Sequence, residues 1–263
     1  MAVKPNDLEE NGARAVSSFP RIVEVLYALT GGSQMQSVRA IAEVTGNSRS
    51  ATQRILRSLA DTGYAEQRDD GSYAVGPRLV ELAARVFGVV PVLKLADSAM
   101  TGLVRELGET CYLATYTRGD TFTTYIHRVE SDHPVRHVQA LGVRLPLHAG
   151  AVGKAILSVA DIKLDQLELT KYTPQTLTSK ASLRKELERA RETGYTTSFE
   201  ERVVGVVGVA APLIAGDTVV GALTVAIPTS RVPKEGVDNI GKKVRKCAHE
   251  FSLALTAMGV KRI

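Results

Sequence analysis

Four of the five histidines, His127, His133, His137 and His148, fall within 22 positions, and clustered imidazoles are ordinary zinc ligands or general bases. Their settings differ, however. His127 and His137 lie in β-prone stretches and His133 in a polar turn before Pro134, so they read as surface or lining residues and no metal site is expected. Cys111 and Cys247 stand 136 positions apart, with neither metal-ligand spacing nor a disulfide framework. There is no GxSxG, P-loop or HExxH, and Gly205-Val206-Val207-Gly208 leads into more strand instead of a phosphate-binding helix. No catalytic residue and no cofactor are assigned, and the chain is not read as an enzyme. A different chemistry is better supported. Between Asn47 and Ala60 the chain carries Arg49, Arg54 and Arg57 and no acid, a local positive face suited to phosphates and base edges.

The elements that must position those arginines follow from periodicity. Phe19, Ile22, Val23, Leu26 and Leu29 share one helical face, ended by Gly31-Gly32. Ser37 caps a short helix through Val38, Ile41 and Val44, closed by Gly46. Asn47 is read as the cap of a third helix, carrying Ala51, Ile55, Leu56 and Leu59 and stopped by Gly63. Tyr64 to Val75 reads as two short strands turning at Asp69-Asp70-Gly71. Three helices and a hairpin make a winged helix-turn-helix, whose third helix would enter the major groove. Its polar residues Ser48, Arg49, Ser50, Thr52 and Gln53, with Arg54, Arg57, Ser37 and Asn47, are the candidate DNA contacts, and Arg68 is the candidate from the wing. The plainer reading of the same face is a solvated, Arg-rich helix in a partner-binding module.

Beyond Pro77 the pattern Leu79, Leu82, Ala83 and Val86 marks a linker helix, and another helix runs from about Val92 to Leu107. The remainder alternates. Hairpins are expected at Arg118-Gly119-Asp120 and Gly216-Asp217, a strand near His137 to Leu141, and helices over Ala149–Val159, Asp161–Leu169, Ser182–Thr193 and Lys234–Met258. Lys242, Lys243, Arg245 and Lys246 lie beside Ile240, Val244 and Cys247 in the last helix and read as a solvated face. The whole is an α+β chain.

The bulk numbers sharpen this. Of 263 residues, 44% are apolar, enough for real cores. No apolar run approaches the roughly 18 residues of a membrane helix, and the polar start does not resemble a secretory signal; no membrane partner is expected, and a cytoplasmic location is. Residues 1–90 balance ten basic against ten acidic side chains, so the formal +5 belongs entirely to residues 91–263. DNA binding by the first part would therefore rest on placement and not on bulk charge.

The residues also carry a family pattern. Arg49-Ser50-Ala51-Thr52 through Arg54-Ile55-Leu56, Gly63-Tyr64, Gly71-Ser72-Tyr73 and Gly76-Pro77-Arg78-Leu79 resemble the DNA-binding domain of the IclR family of bacterial transcriptional regulators. Leu145-Pro146-Leu147-His148-Ala149, Gly153-Lys154-Ala155, Glu200-Glu201 and Gly205 to Pro212 resemble its effector domain. The resemblance implies a polar tail over 1–13, a winged helix-turn-helix over 14–76, a linker helix over 77–90, and a GAF-like effector-binding and oligomerisation domain over 91–263. It implies homodimers or homotetramers on palindromic double-stranded operator DNA, repressing or activating under control of a small organic acid. Carried over by position, the effector pocket would use Leu145 and Leu147 as an apolar wall and backbone N–H groups at Gly150 and Ala151 as a carboxylate cradle. Ser198, Gly208, Thr224 and Ala226 would face them. Family members that take very small acids tend to have Asp, Cys and two Ser at the last four places; Gly208 and Ala226 are smaller and less polar, leaving room for a bulkier, aromatic acid. The contrasting reading is an enzyme or non-DNA sensor with a winged protein-interaction module, which an ionic-strength series would separate from a DNA binder.

Overall fold

The helical face that starts near Phe19 belongs to a longer element. In the computed structural model, which describes residues 6–31, 35–89 and 91–263, α1 runs over Asn6–Gly31, beginning inside the stretch read as a polar tail. The chain divides into two compact units, Met1–Val89 and Val90–Ile263.

In the first unit α2 spans Val38–Thr45, capped by the Ser37 hydroxyl, which accepts from Ala40 N at 3.1 Å. Gly46, at φ 66°, ends it in the left-handed conformation that a side chain would resist. The cap of α3, Arg49–Asp61, is Ser48 and not Asn47: the Ser48 hydroxyl accepts from Ala51 N at 3.3 Å. Strands β1 (Ala65–Gln67) and β2 (Tyr73–Val75) pair antiparallel around a turn in which Asp70 Oδ1 accepts from Ser72 N at 2.9 Å. Gln36 extends this wing by a two-way backbone bridge to Tyr73. Val25, Leu29, Ile41, Leu56, Leu59, Ala65 and Tyr73 form the core, and α4 (Pro77–Val89) closes the unit.

The second unit is built on one antiparallel sheet. After α5 (Pro91–Leu107) come β3 (Thr110–Thr115), β4 (Phe122–Val129), β5 (Arg144–Pro146) and α6 (Ala151–Val159). Then follow α7 (Lys180–Thr193), β6 (Thr196–Phe199), β7 (Val206–Ala215), β8 (Thr218–Pro228) and α8 (Asp238–Ala257). The sheet order is β5-β4-β3-β8-β7-β6. One face packs α5 and α8 over Cys111, Leu113, Val209, Leu223 and Val225; the other packs α6 and α7 over Tyr112, Ala114, Ala210, Ala222 and Ala226. This two-faced burial explains the near-continuous apolar runs of β7 and β8.

Two expected elements do not form. Residues 137–141 are irregular, because the His137 carbonyl and Gln139 N–H bond to the Tyr112 hydroxyl and not to a neighbouring strand. Only one 3-10 turn, Leu164–Gln166, occurs within 161–169. There Ile162, Leu164, Leu167 and Leu169 recur at steps of two, three and two, which no α-helix face matches. Among the described residues no helix is long and apolar enough to cross a membrane.

Candidate nucleic-acid interface and ligand cavity

The polar face of α3 is presented as its periodicity requires. Ser48, Arg49, Ser50, Gln53, Arg54 and Arg57 are exposed, while Leu56 and Leu59 anchor the helix in the core. None of its three arginines is in an ion pair among the described residues, so their guanidinium groups are uncommitted to any internal acid. Ser37 is exposed at the start of α2, and Arg68 is exposed on the hairpin, with Nη1 3.3 Å from Glu66 Oε1. Two sequence candidates are corrected. Thr52 is fully buried at 0% exposure, one turn before Leu56 on the apolar face, so its side chain cannot reach a groove. Asn47 is half-buried and its Nδ2 is enclosed without a hydrogen-bond partner, which withdraws the donor end of its amide from the surface.

In the sheet unit a cavity lies between the N-terminal end of α6 and the face of β6, β7, β8 and β3. Of the expected residues, Gly150, Ala151, Ser198, Gly208, Thr224 and Ala226 line it. Leu145 and Leu147 do not: at 2% and 0% exposure they are packed among Tyr112, Val152 and Ile156 in the apolar core. The β register brings Ser198, Gly208 and Ala226 side by side on three adjacent strands, and at Gly208 even a Cβ would sit 3.1 Å from the Ala151 Cβ. Tyr112, Tyr125, His137, Val152 and Arg202 complete most of the wall. Tyr112 and Tyr125 stack with ring centroids 4.6 Å apart, a flat aromatic surface suited to another ring.

The polar end of this cavity differs from the expected cradle. Gly150 N–H is already donated to Glu201 Oε2 at 3.2 Å, and Glu201 is paired with the buried Lys154 of α6. Lys154 is 1% exposed and also lies 3.9 Å from Glu186 of α7. An internal carboxylate thus caps the first turn of α6 and neutralises the lysine. The next residue supplies the free cation. A Cβ built on Gly150 would lie 3.7 Å from Arg202 Nε, which places that guanidinium at the start of α6. The turn that aims the two side chains apart passes through Glu200, at φ 57° the one non-glycine residue of positive φ among the described residues. Thr173 and Thr176 hydroxyls hold this turn by donating to the Glu200 and Glu201 carbonyls at 2.7 and 2.6 Å. Burial, and then the charge of Arg202, hold the His137 imidazolium below its ordinary pKa, and burial pushes the Tyr125 phenol up.

The histidines scatter. His127 Nε2 lies 3.0 Å from Asp97 Oδ1, and His148 Nε2 is 2.9 Å from the Thr170 carbonyl. His133 packs near Gly108, while His137 faces the cavity. Among the described residues no group of three or more His, Cys, Asp or Glu is placed to hold a metal. Of the basic residues of α8, Arg245 donates to the Thr193 carbonyl at 3.0 Å and Lys243 pairs with Glu106 at 3.1 Å.

These two arrangements have counterparts in known proteins. Residues 20–69 match the model of the IclR helix-turn-helix domain, and residues 84–253 match that of the bacterial transcriptional regulator IclR C-terminal domain. The HTH-type transcriptional repressor AllR of Escherichia coli K12 is 31% identical over 265 residues, covering 98% of this chain and 96% of the repressor. The crystal structure of the Thermotoga maritima IclR is similar with a TM-score of 0.71 at 25% identity, over 92% of this chain and 99% of that one. An IclR homologue from Microbacterium hydrocarbonoxydans, solved in complex with 4-hydroxybenzoate, shares the fold with a TM-score of 0.76 at 23% identity, over 90% and 98% of the two chains. With both domain models matched in order along nearly the whole chain, the protein belongs to the IclR family of bacterial DNA-binding transcriptional regulators.

Proposed function

We propose that this regulator reads its operator with the exposed face of α3, as a homodimer or homotetramer, under the control of an aromatic monocarboxylic acid bound in the sheet unit. Arg49, Ser50 and Gln53, near the N-terminus of α3, are the base readers; Ser37, Ser48, Arg54 and Arg57 hold phosphates, and Arg68 reaches the backbone from the wing. The observation that carries the DNA reading is the concentration of three arginines on the exposed face of α3, whose single acid, Asp61, is its last residue, in a unit whose formal charge sums to zero. The acid reading rests on Arg202, which is in no ion pair among the described residues, beside the stacked Tyr112–Tyr125 pair, with Ala226 leaving the β8 wall low, and on the 4-hydroxybenzoate held by the Microbacterium homologue. Ala151 and Val152 N–H groups at the start of α6 would supplement Arg202. The second reading, an enzyme or non-DNA sensor, has no catalytic constellation behind it.

Titration of operator DNA at several ionic strengths, with and without 4-hydroxybenzoate, tests both parts. Affinity should fall steeply with salt and shift when the acid is present. Salt-independent binding would reject the DNA contacts, and calorimetry showing tight pyruvate or glyoxylate binding with none by aromatic acids would reject the effector class.

A further inference from the structure

Arg202 faces the cavity with five N–H donors, and among the described residues its only hydrogen bonds are two long ones, from Nη1 and Nη2 to the Gln139 Oε1, each 3.4 Å. A guanidinium beside a half-closed cavity normally has a carboxylate or phosphate partner; here a single neutral amide oxygen occupies that place, at distances near the limit of a hydrogen bond. Gln139 belongs to the irregular segment 130–143, a strap whose His137 lines the cavity. Its two ends are pinned to the framework. At one end the Ser131 hydroxyl donates to the Gly108 carbonyl at 2.5 Å, and Arg231 Nη1 donates to the Val135 carbonyl at 2.7 Å while its other nitrogens make a bidentate pair with buried Glu109. At the other end Gly142 N–H donates to the Tyr125 carbonyl at 2.8 Å.

The middle of the strap is held by two residues that line the cavity, Tyr112 and Arg202, and by Arg128 of β4. Tyr112 Oη donates to the His137 carbonyl at 3.0 Å and accepts from Gln139 N at 2.9 Å, Arg128 Nη1 donates to the Gln139 carbonyl at 3.1 Å, and Arg202 takes the Gln139 side chain. With the strap in place, the space left in the cavity equals only a few water molecules. A planar ring needs more space than that, and His137 is a part of the lining that belongs to an irregular segment outside the sheet and α6, where its carbonyl accepts from the Tyr112 hydroxyl.

We propose that Gln139 is a place-holder for the effector's carboxylate: the incoming acid displaces the amide from Arg202, and the middle of the strap, residues 137–141, lifts to admit the ring against Tyr112 and Tyr125. This rests on the reading that the cavity takes an organic acid. The exchange is driven by charge, since a carboxylate on a guanidinium forms short, bidentate, charge-assisted bonds where the amide forms two long neutral ones. It makes Gln139 a positioning residue that keeps Arg202 aimed in the empty state, and it makes the strap the element whose position reports occupancy.

The test uses the full-length protein and Gln139→Glu and Gln139→Ala variants, with benzoate, 4-hydroxybenzoate and phenylacetate, and their neutral amides, as probes. Calorimetry gives affinity, and hydrogen–deuterium exchange gives the protection of 130–143. Gln139→Glu, of nearly the same shape, places an internal carboxylate on Arg202. It should weaken acid binding by about tenfold or more, the worth of one charge-assisted bond, and slow exchange in the strap. Gln139→Ala removes the competitor and should tighten acid binding a few-fold while speeding exchange. An acid that binds wild type but leaves strap exchange unchanged, with affinity equal in the Glu variant, would overturn the exchange mechanism and leave the acid reading intact. Failure of all the acids to bind wild type and Gln139→Ala alike would overturn both.

Discussion

Replacing Lys154 by Met removes the only fully buried cation among the described residues of the sheet unit and strands its partner. Lys154 is 1% exposed and Glu201 8% exposed at the side chain, so neither charge has water to fall back on. With the ammonium gone, the Glu201 carboxylate keeps only the N–H of Gly150 at 3.2 Å, and a buried carboxylate left in that state costs about 3–5 kcal/mol. The unit runs from Val90 to Ile263, and for a domain of that size each kcal/mol lowers the melting temperature by about 2–4 °C. A fall of about 6–20 °C is therefore expected, read by far-ultraviolet circular dichroism on heating. The double variant Lys154→Met with Glu201→Leu replaces both charges by apolar groups and should recover most of the loss, because the attraction of a buried pair barely exceeds the cost of taking its charges out of water. The reasoning fails if Lys154→Met melts within about 0.5 kcal/mol of wild type, the range of an inconsequential surface change, or if the double variant is no more stable than the single.

Three other outcomes follow from the same geometry. Arg49→Ala should weaken specific operator binding by about 1–3 kcal/mol, whereas Thr52→Val should leave it unchanged and should not lower stability, since the buried hydroxyl has no partner to lose; equal effects in a gel-shift titration would contradict the facing assigned to α3. Gly208→Val puts a branched side chain where a bare Cβ already meets Ala151 at 3.1 Å. The side chain must displace Ala151 and the first turn of α6, so aromatic acids should bind at least about tenfold more weakly, as calorimetry would show. The imidazolium of His137 is disfavoured by burial and then by Arg202, so its native pKa lies below the ordinary value of 6.5. The unfolded chain binds that proton more readily, so this contribution to stability is present above pH 6.5 and is lost as pH falls through 6.5 toward the depressed native value. A carboxylate seated on Arg202 would relieve the repulsion, and acid binding near pH 6 should take up part of a proton; identical heats in buffers of different ionisation enthalpy would count against that seat.

What the sequence makes legible is local. Ser37 and Gly46 bracket α2, Gly63 follows α3, and Gly216-Asp217 turns β7 into β8, because caps and turns are decided by neighbours a few residues away. The inward facing of Thr52 is legible on the same terms, since 52, 56 and 59 lie on one helical face, although its polarity argues the other way. The cavity is legible only in part. Resemblance places Ser198, Gly208, Thr224 and Ala226 because it marks the segment, while Leu145 and Leu147 show that it does not mark the direction of a side chain. Tyr112, Tyr125, His137 and Arg202 come from four separate stretches that meet only through the sheet order and the strap, and no period or spacing in the chain announces the meeting. His137 reads from the sequence as a surface or lining residue, but nothing there says which cavity it lines.

The sheet order also sets a timetable for biosynthesis. The winged unit is complete by Val89, but β3 has no neighbour on one side until β8, Thr218–Pro228, has been made, and the Thr115 hydroxyl donates to the carbonyl of the last residue, Ile263. Domains fold as units during synthesis at about 5–20 residues per second, so roughly 7–28 s separate the end of the winged unit from the end of β8. For that interval each nascent chain carries a finished winged unit and an unfinished sheet, with the edge of β3 that β8 will cover left open. Polysomes making this regulator are thus the place where unregulated operator contact and strand-edge aggregation compete with correct closure of the sheet, and slowing translation across β7 and β8 would lengthen both hazards.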